Sequence, residues 1–232
     1  MEAKIDSKSL NNAKKALWFL VPVASIGVTF STFISPGIIG QGIFTLTKIW
    51  LVAFPWLWRL KIEKKTIRTP KVTWKQTNWG LILGVVMSVA IVASYFGIGQ
   101  QFLDVAAVRE QAIAAGITDV RLYFAGVIYW SFVNSFIEEV VWRGFVYRHC
   151  KTLFPRLSAI LISALFFTLH HIIAMAFYLQ DFGLVFLSSL GVFIAGTIWS
   201  ACLQRSSFWS AYISHILADL AIGFVGWHLL FS

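Results

Sequence analysis

The sequence predicts an all-α, polytopic transmembrane helical bundle of about seven spans. Three observations carry that prediction. Hydrophobic residues make up 58% of the 232 and charged residues only 12%, a balance unlike that of an ordinary soluble domain. Apolar stretches of about 18 residues or more recur, and a helix needs about 20 to cross a hydrocarbon core about 30 Å thick. The basic residues collect in alternate connections between those stretches.

Taken in order, the stretches run roughly over residues 17–35, 38–58, 79–99, 122–147, 157–179, 184–203 and 208–231. Residues 1–16 are expected to form a cytoplasmic N-terminal segment, and residues 17–232 a single transmembrane bundle. The first apolar run is too long for a signal-peptide core and lacks a clear small-x-small cleavage site, so it is expected to remain a helix. Lys48 falls in mid-span in the second run, which places it on an interior face or on a tilted helix. The connection at 100–120 is the longest on its side, and its 105–115 part is expected to form a short helix.

Charge sets the orientation. Lys4, Lys8, Lys14 and Lys15 precede the first span, and Arg59, Lys61, Lys64, Lys65, Arg68, Lys71 and Lys75 fill the second connection. Arg148, Lys151 and Arg156 follow the fourth span and Arg205 follows the sixth, whereas the alternate connections hold only Arg109 and Arg121 beside Asp104, Glu110, Asp119 and Asp181. By the positive-inside rule the N-terminus is cytoplasmic and the C-terminus is outside. Short loops without N-glycosylation sequons suit a prokaryotic inner (plasma) membrane. The net charge of +9 is therefore a topology signal. The lipid bilayer, through its anionic headgroups, is the partner expected for the 59–75 loop, and no nucleic acid is expected. Many of the eleven tryptophans flank spans, as Trp56, Trp58, Trp74 and Trp79 do, and suit interfacial anchoring. Cys150 and Cys202 form neither a ligand-spaced pair nor a disulfide framework.

Chemistry concentrates in three of the spans. Ionisable groups at hydrocarbon depth cost at least about 2.5–3.5 kcal/mol each, so they mark function by default. Glu138, Glu139 and Arg143 end the uncharged run from Leu122 to Ile137; His170 and His171 lie in the fifth span, and His215 and Asp219 in the seventh. Counted at 1.5 Å per residue from the nearest basic flank, Glu138 and His215 lie about 15 Å deep and His171 about 22 Å deep, all entering from one face. Glu139 and Arg143 are four apart and share a helix face as a candidate ion pair. Glu138 is five from Arg143, about 140° round a regular helix, so it is the carboxylate left to meet water or substrate. His215 and Asp219 are again four apart, so one can orient or charge the other. A purely structural reading also exists for each: a buried pair that fixes helix register, or histidines that hydrogen-bond between helices.

At these residues the chain resembles the CAAX-protease and bacteriocin-processing (CPBP, or Abi) family of intramembrane endopeptidases. The family pattern is Glu-Glu-x-x-x-Arg, then Phe-x-x-x-His, then His-x-x-x-Asn or Asp, each on its own span. Glu138, Glu139 and Arg143 match the first element, Phe167 and His171 the second, and His215 and Asp219 the third. Phe166 and His170 match the second out of register. The resemblance covers roughly residues 121–225, the expected catalytic core. It implies that Glu138 and His171 activate a water for attack on a peptide bond, with no covalent intermediate and no cofactor. It further implies that Glu139 and Arg143 position the first carboxylate, and that His215 and residue 219 bind the oxyanion. The expected partner is then a membrane-associated peptide or protein substrate. Asp219 departs from the Asn of the best-understood members, and an ionised Asp cannot donate to an oxyanion. Either a protonated Asp219 or a cationic His215 beside it would restore a donor. Three alternatives accompany this reading: an inactive membrane scaffold or immunity protein, a zinc-dependent variant ligated by Glu138, His171 and His215, and a proton-coupled transporter, which the absence of repeats disfavours.

Overall fold

The computed structural model describes residues 6–66, 72–205 and 207–232. Lys4, Arg68 and Lys71 of the predicted basic pattern lie outside the described residues. Among those described, helix is the only regular structure, in eight elements: α1 (Ser7–Ile34), α2 (Ile38–Ile62), α3 (Trp74–Phe102), α4 (Val105–Ala114), α5 (Val120–Leu153), α6 (Arg156–Leu179), α7 (Phe182–Arg205) and α8 (Phe208–Phe231). All but α4 are long and apolar enough to cross a membrane. Large apolar side chains such as Ile38, Phe182 and Phe186 are exposed on them, as lipid contact demands. The protein is an all-α, multi-pass membrane protein.

Helix starts are written locally. Asp6 accepts from Lys8 N at α1, Asp104 from Ala107 N at α4, Asp119 from Arg121 N at α5 and Ser207 from Ser210 N at α8, each satisfying a donor that the first turn leaves open. Thr73 and Gln76 form a reciprocal capping box at α3. α1 begins at Ser7, ahead of its apolar run, so Lys8, Lys14 and Lys15 ride on its first turns. Gly37, at φ 105, makes the turn into α2 that a side chain would strain. Lys48 lies within α2 with its Nζ 5.4 Å from the centre of the Phe44 ring, one turn earlier on the same face.

The chain divides into two compact units. The first comprises Met1–Thr69, Val140–Ala174 and Val192–Ala201. In it Phe54 of α2 meets Phe145 of α5 edge-on at 5.8 Å, and Glu63 bonds both His149 and Arg148 at 3.1 and 3.3 Å. The second comprises Pro70–Glu139, Met175–Gly191 and Cys202–Ser232, and α8 is its centre. Against α3, Gly80 and Gly84 let the backbones close: an added Cβ would lie 2.9 Å from Ile213 Cβ and 2.8 Å from Leu217 Cβ respectively. Ser88 donates to the Leu217 carbonyl at 2.9 Å and Ser210 to that of Gln76 at 2.7 Å. Against the start of α5, Gly223 meets Val127, and the Tyr123 hydroxyl donates to the Gly223 carbonyl at 2.6 Å. Clamped on two sides, α8 holds His215 and Asp219 at a set depth and rotation.

Candidate active site

The second unit brings four of the predicted residues together. Glu138 and Glu139 come from α5, and His215 and Asp219 from α8. Glu138, Glu139 and His215 are 7%, 0% and 3% exposed, so water barely screens their charges. His215 is the hub. Its Nδ1 lies 2.9 Å from Glu139 Oε1, and its Nε2 lies 3.7 Å from both Glu138 Oε2 and Asp219 Oδ1. A carboxylate can only accept, so Nδ1 carries a proton toward Glu139 and Nε2 is presented to the other two carboxyl groups.

Two residues that motif spacing did not single out complete this cluster. Asn134, buried, donates its side-chain amide to Glu138 Oε1 at 2.9 Å. Ser135, fully buried, bonds Asp219 Oδ2 and also lies 3.0 Å from the Trp130 carbonyl. Their signal was present, since two adjacent polar side chains sit within an otherwise uncharged run one turn before Glu138.

α5 is not a regular α-helix here. It is π-helical over Tyr129–Asn134 and again over Glu139–Tyr147, with one α-helical turn, Ser135–Glu138, between them. Such wide turns are frequent at functional sites. They also correct the angle expected from sequence, because 100° per residue does not hold through a π-helical stretch. What separates the two glutamates is therefore their partners rather than an α-helical wheel: Glu138 accepts from Asn134, and Glu139 from His215.

The first unit holds the other predicted residues. The Arg143 guanidinium lies 4.3 Å from the Phe167 ring and 4.9 Å from the Trp199 ring, so two aromatic faces hold the cation. His171 Nδ1 is 3.0 Å from the Phe167 carbonyl; because a carbonyl only accepts, Nδ1 bears the proton and Nε2 of a neutral imidazole is the basic nitrogen. His170 stacks on Trp142 at 5.2 Å with the rings 9° from parallel, a packing contact. Phe167 thus touches both the Arg143 and the His171 side chains, which accounts for an aromatic four residues before His171. The zinc alternative draws on Glu138 and His215 of one unit and His171 of the other. The two remaining histidines have their own partners, His149 with Glu63 and His228 with the Tyr95 hydroxyl at 2.9 Å.

Set against known proteins, residues 120–221 match the family model for Rce1-like, type II CAAX prenyl endopeptidase Rce1-like. The matched segment is just under half of the chain and contains every motif residue named above. It agrees with the family expected from the motifs and supports an intramembrane protease. No curated protein and no solved structure matches the chain.

Proposed function

We propose, from the type II CAAX prenyl endopeptidase family whose model residues 120–221 match, that this protein hydrolyses a peptide bond of a membrane-associated protein or peptide, within the membrane, with a water activated by Glu138. The observation that carries the reading is the cluster in which one imidazole, His215, faces the buried Glu138 and Glu139 and the half-buried Asp219. An apolar span tolerates such a cluster when its groups satisfy one another.

Each residue has its own part in the chemistry. Glu138, held by Asn134, takes a proton from water while the oxygen attacks the scissile carbonyl, and it later returns that proton to the leaving amine. His171 shares in activating the water through Nε2, as the family resemblance implies. His215, with both nitrogens protonated, anchors Nδ1–H on Glu139 and offers Nε2–H to the oxyanion. Glu139 and Arg143 position these groups. No covalent intermediate or cofactor is needed. On this reading the segment at about 121–225 is the catalytic core of a single transmembrane bundle; the charge pattern supports a cytoplasmic N-terminus, and short loops without N-glycosylation sequons suit a prokaryotic plasma membrane.

One feature favours a second reading. Asp219 stands where the best-understood proteases of the family have Asn, which suits a catalytically inactive scaffold or immunity protein that binds a membrane peptide. The deciding experiment is cleavage of a panel of prenylated and unprenylated membrane peptides by the purified protein in bilayer nanodiscs, alongside Glu138→Gln. Cleavage by the wild type that Glu138→Gln abolishes supports the protease. Peptide binding without cleavage supports the scaffold.

A further inference from the structure

Trp56, Trp74 and Trp79 are exposed, as tryptophans that anchor a membrane surface are, whereas Trp199 on α7 is only 3% exposed. Interfacial anchoring does not account for it. Its ring centre lies 4.9 Å from Cζ of Arg143, and the Phe167 ring centre lies 4.3 Å from the same carbon. The two rings meet edge to face, 6.1 Å apart at 77°, so they form two walls of a corner that takes the cation. Three helices of one unit contribute to it: Arg143 from α5, Phe167 from α6 and Trp199 from α7. Gly196, three residues before Trp199, lets α7 close on α6, since an added Cβ would lie 3.1 Å from Phe167 Cδ1 and 3.4 Å from Ala164 Cβ. Ser200, the next residue along, meets the Ser163 hydroxyl at 3.2 Å. These contacts set the rotation of α7 that turns residue 199 to Arg143.

We propose that Trp199 is a positioning residue for the hydrolysis, holding Arg143 through the face of its indole. The Arg143 guanidinium is almost fully buried, so bulk water does little to solvate it. The negative face of an aromatic ring attracts a cation most strongly where water is excluded, and tryptophan has the strongest such face. An indole also suits an apolar span, which a second carboxylate would not. Phe167 is shared, because it touches the Arg143 side chain and also the His171 ring at 4.5 Å. Loss of the indole therefore loosens Arg143 and removes a wall against which Phe167, and through it His171, is set. Trp199 belongs to none of the three motif elements and acts through Arg143 and Phe167 rather than on the substrate. The inference deepens the protease reading and, for its kinetic consequence, rests on it.

Two measurements test it, one of them independent of activity. The first is a double-mutant cycle on thermal unfolding of the full chain in nanodiscs, built from Trp199→Leu and Arg143→Met. Trp199→Leu should lower the midpoint about 2–4 °C further when Arg143 is present than in the Arg143→Met background. Trp199→Phe keeps a ring face and should cost less than Trp199→Leu. Equal shifts in the two backgrounds would mean that Trp199 merely packs, and would overturn the proposal whether or not a substrate is known. The second is turnover of a peptide that the wild type cleaves. Trp199→Leu should lower kcat about tenfold with KM little changed, and Trp199→Phe should recover most of that loss. Phenylalanines of rising fluorination placed at position 199 keep one shape while draining the ring face, so kcat should fall stepwise along the series. That series decides even where Trp199→Leu fails to fold. A flat series, or equal kcat for Trp199→Leu and Trp199→Phe, overturns the proposal. A wild type that cleaves no peptide overturns the protease reading and with it the kinetic role, while the unfolding cycle still decides whether Trp199 holds Arg143.

Discussion

The Nδ1 of His215 lies 2.9 Å from Oε1 of Glu139, across 76 residues of chain and between two helices, and both side chains are almost completely buried. This bond keeps a proton on Nδ1 of His215 and points its Nε2 at Glu138 and Asp219. Replacing Glu139 with Leu leaves a buried imidazole N–H without its acceptor, at a cost of about 1–3 kcal/mol. The expected outcome is a lower unfolding midpoint in detergent together with loss of cleavage. Glu139→Gln retains an acceptor oxygen and should fall between Leu and wild type in both measurements.

Glu138→Gln should abolish peptide cleavage and leave the fold intact. The amide matches the carboxylate in shape but cannot take a proton from water. Circular dichroism and thermal unfolding should match the wild type while turnover disappears. Cleavage is expected to survive zinc chelators. Loss of activity on chelation that added zinc restores would assign the reaction to the metal-dependent alternative instead.

Asp219→Asn should preserve or raise kcat near neutral pH. An Asn amide offers N–H hydrogens to an oxyanion without a change of shape, whereas an ionised Asp has none to offer. A single oxyanion donor is worth about 10²–10³ in turnover, so a clear gain is within reach. A loss that grows as pH rises would instead identify Asp219 as the charge partner of His215.

Gly84→Val should destabilise the protein by about 1–3 kcal/mol, because its Cβ would come within 2.8 Å of Leu217 Cβ and push α8 away from α3. Since α8 carries His215 and Asp219, cleavage should fall with stability. Gly97, on the same helix, has nothing within 4 Å of an added Cβ, so Gly97→Ala should behave as wild type. A denaturation series in bicelles compares the two directly.

Composition and hydropathy alone determined that this is an all-α membrane protein with seven spans, since in a bilayer each span must satisfy its own backbone hydrogen bonds and so must be a long apolar helix. Of the short elements, the helix expected at 105–115 is found at Val105–Ala114, begun by its own Asp104 cap. Motif spacing likewise pointed to Glu138, Glu139, His215 and Asp219, because four-residue intervals are visible along one helix. Spacing cannot announce a partner on another helix. Glu139 lies four residues from Arg143 in sequence, but the bond to His215 exists only because Gly80, Gly84, Gly223 and Tyr123 seat α8 at one depth and rotation. The π-helical turns of α5 were equally invisible, since nothing in residue type separates them from α-helix, and they changed which side chains share a face. Asn134 and Ser135 were in plain view as polar residues in an apolar run. Only the tertiary structure decided that one donates to Glu138 and the other meets Asp219, because a hydrogen bond is a relation of distance and direction that no single strand of sequence contains.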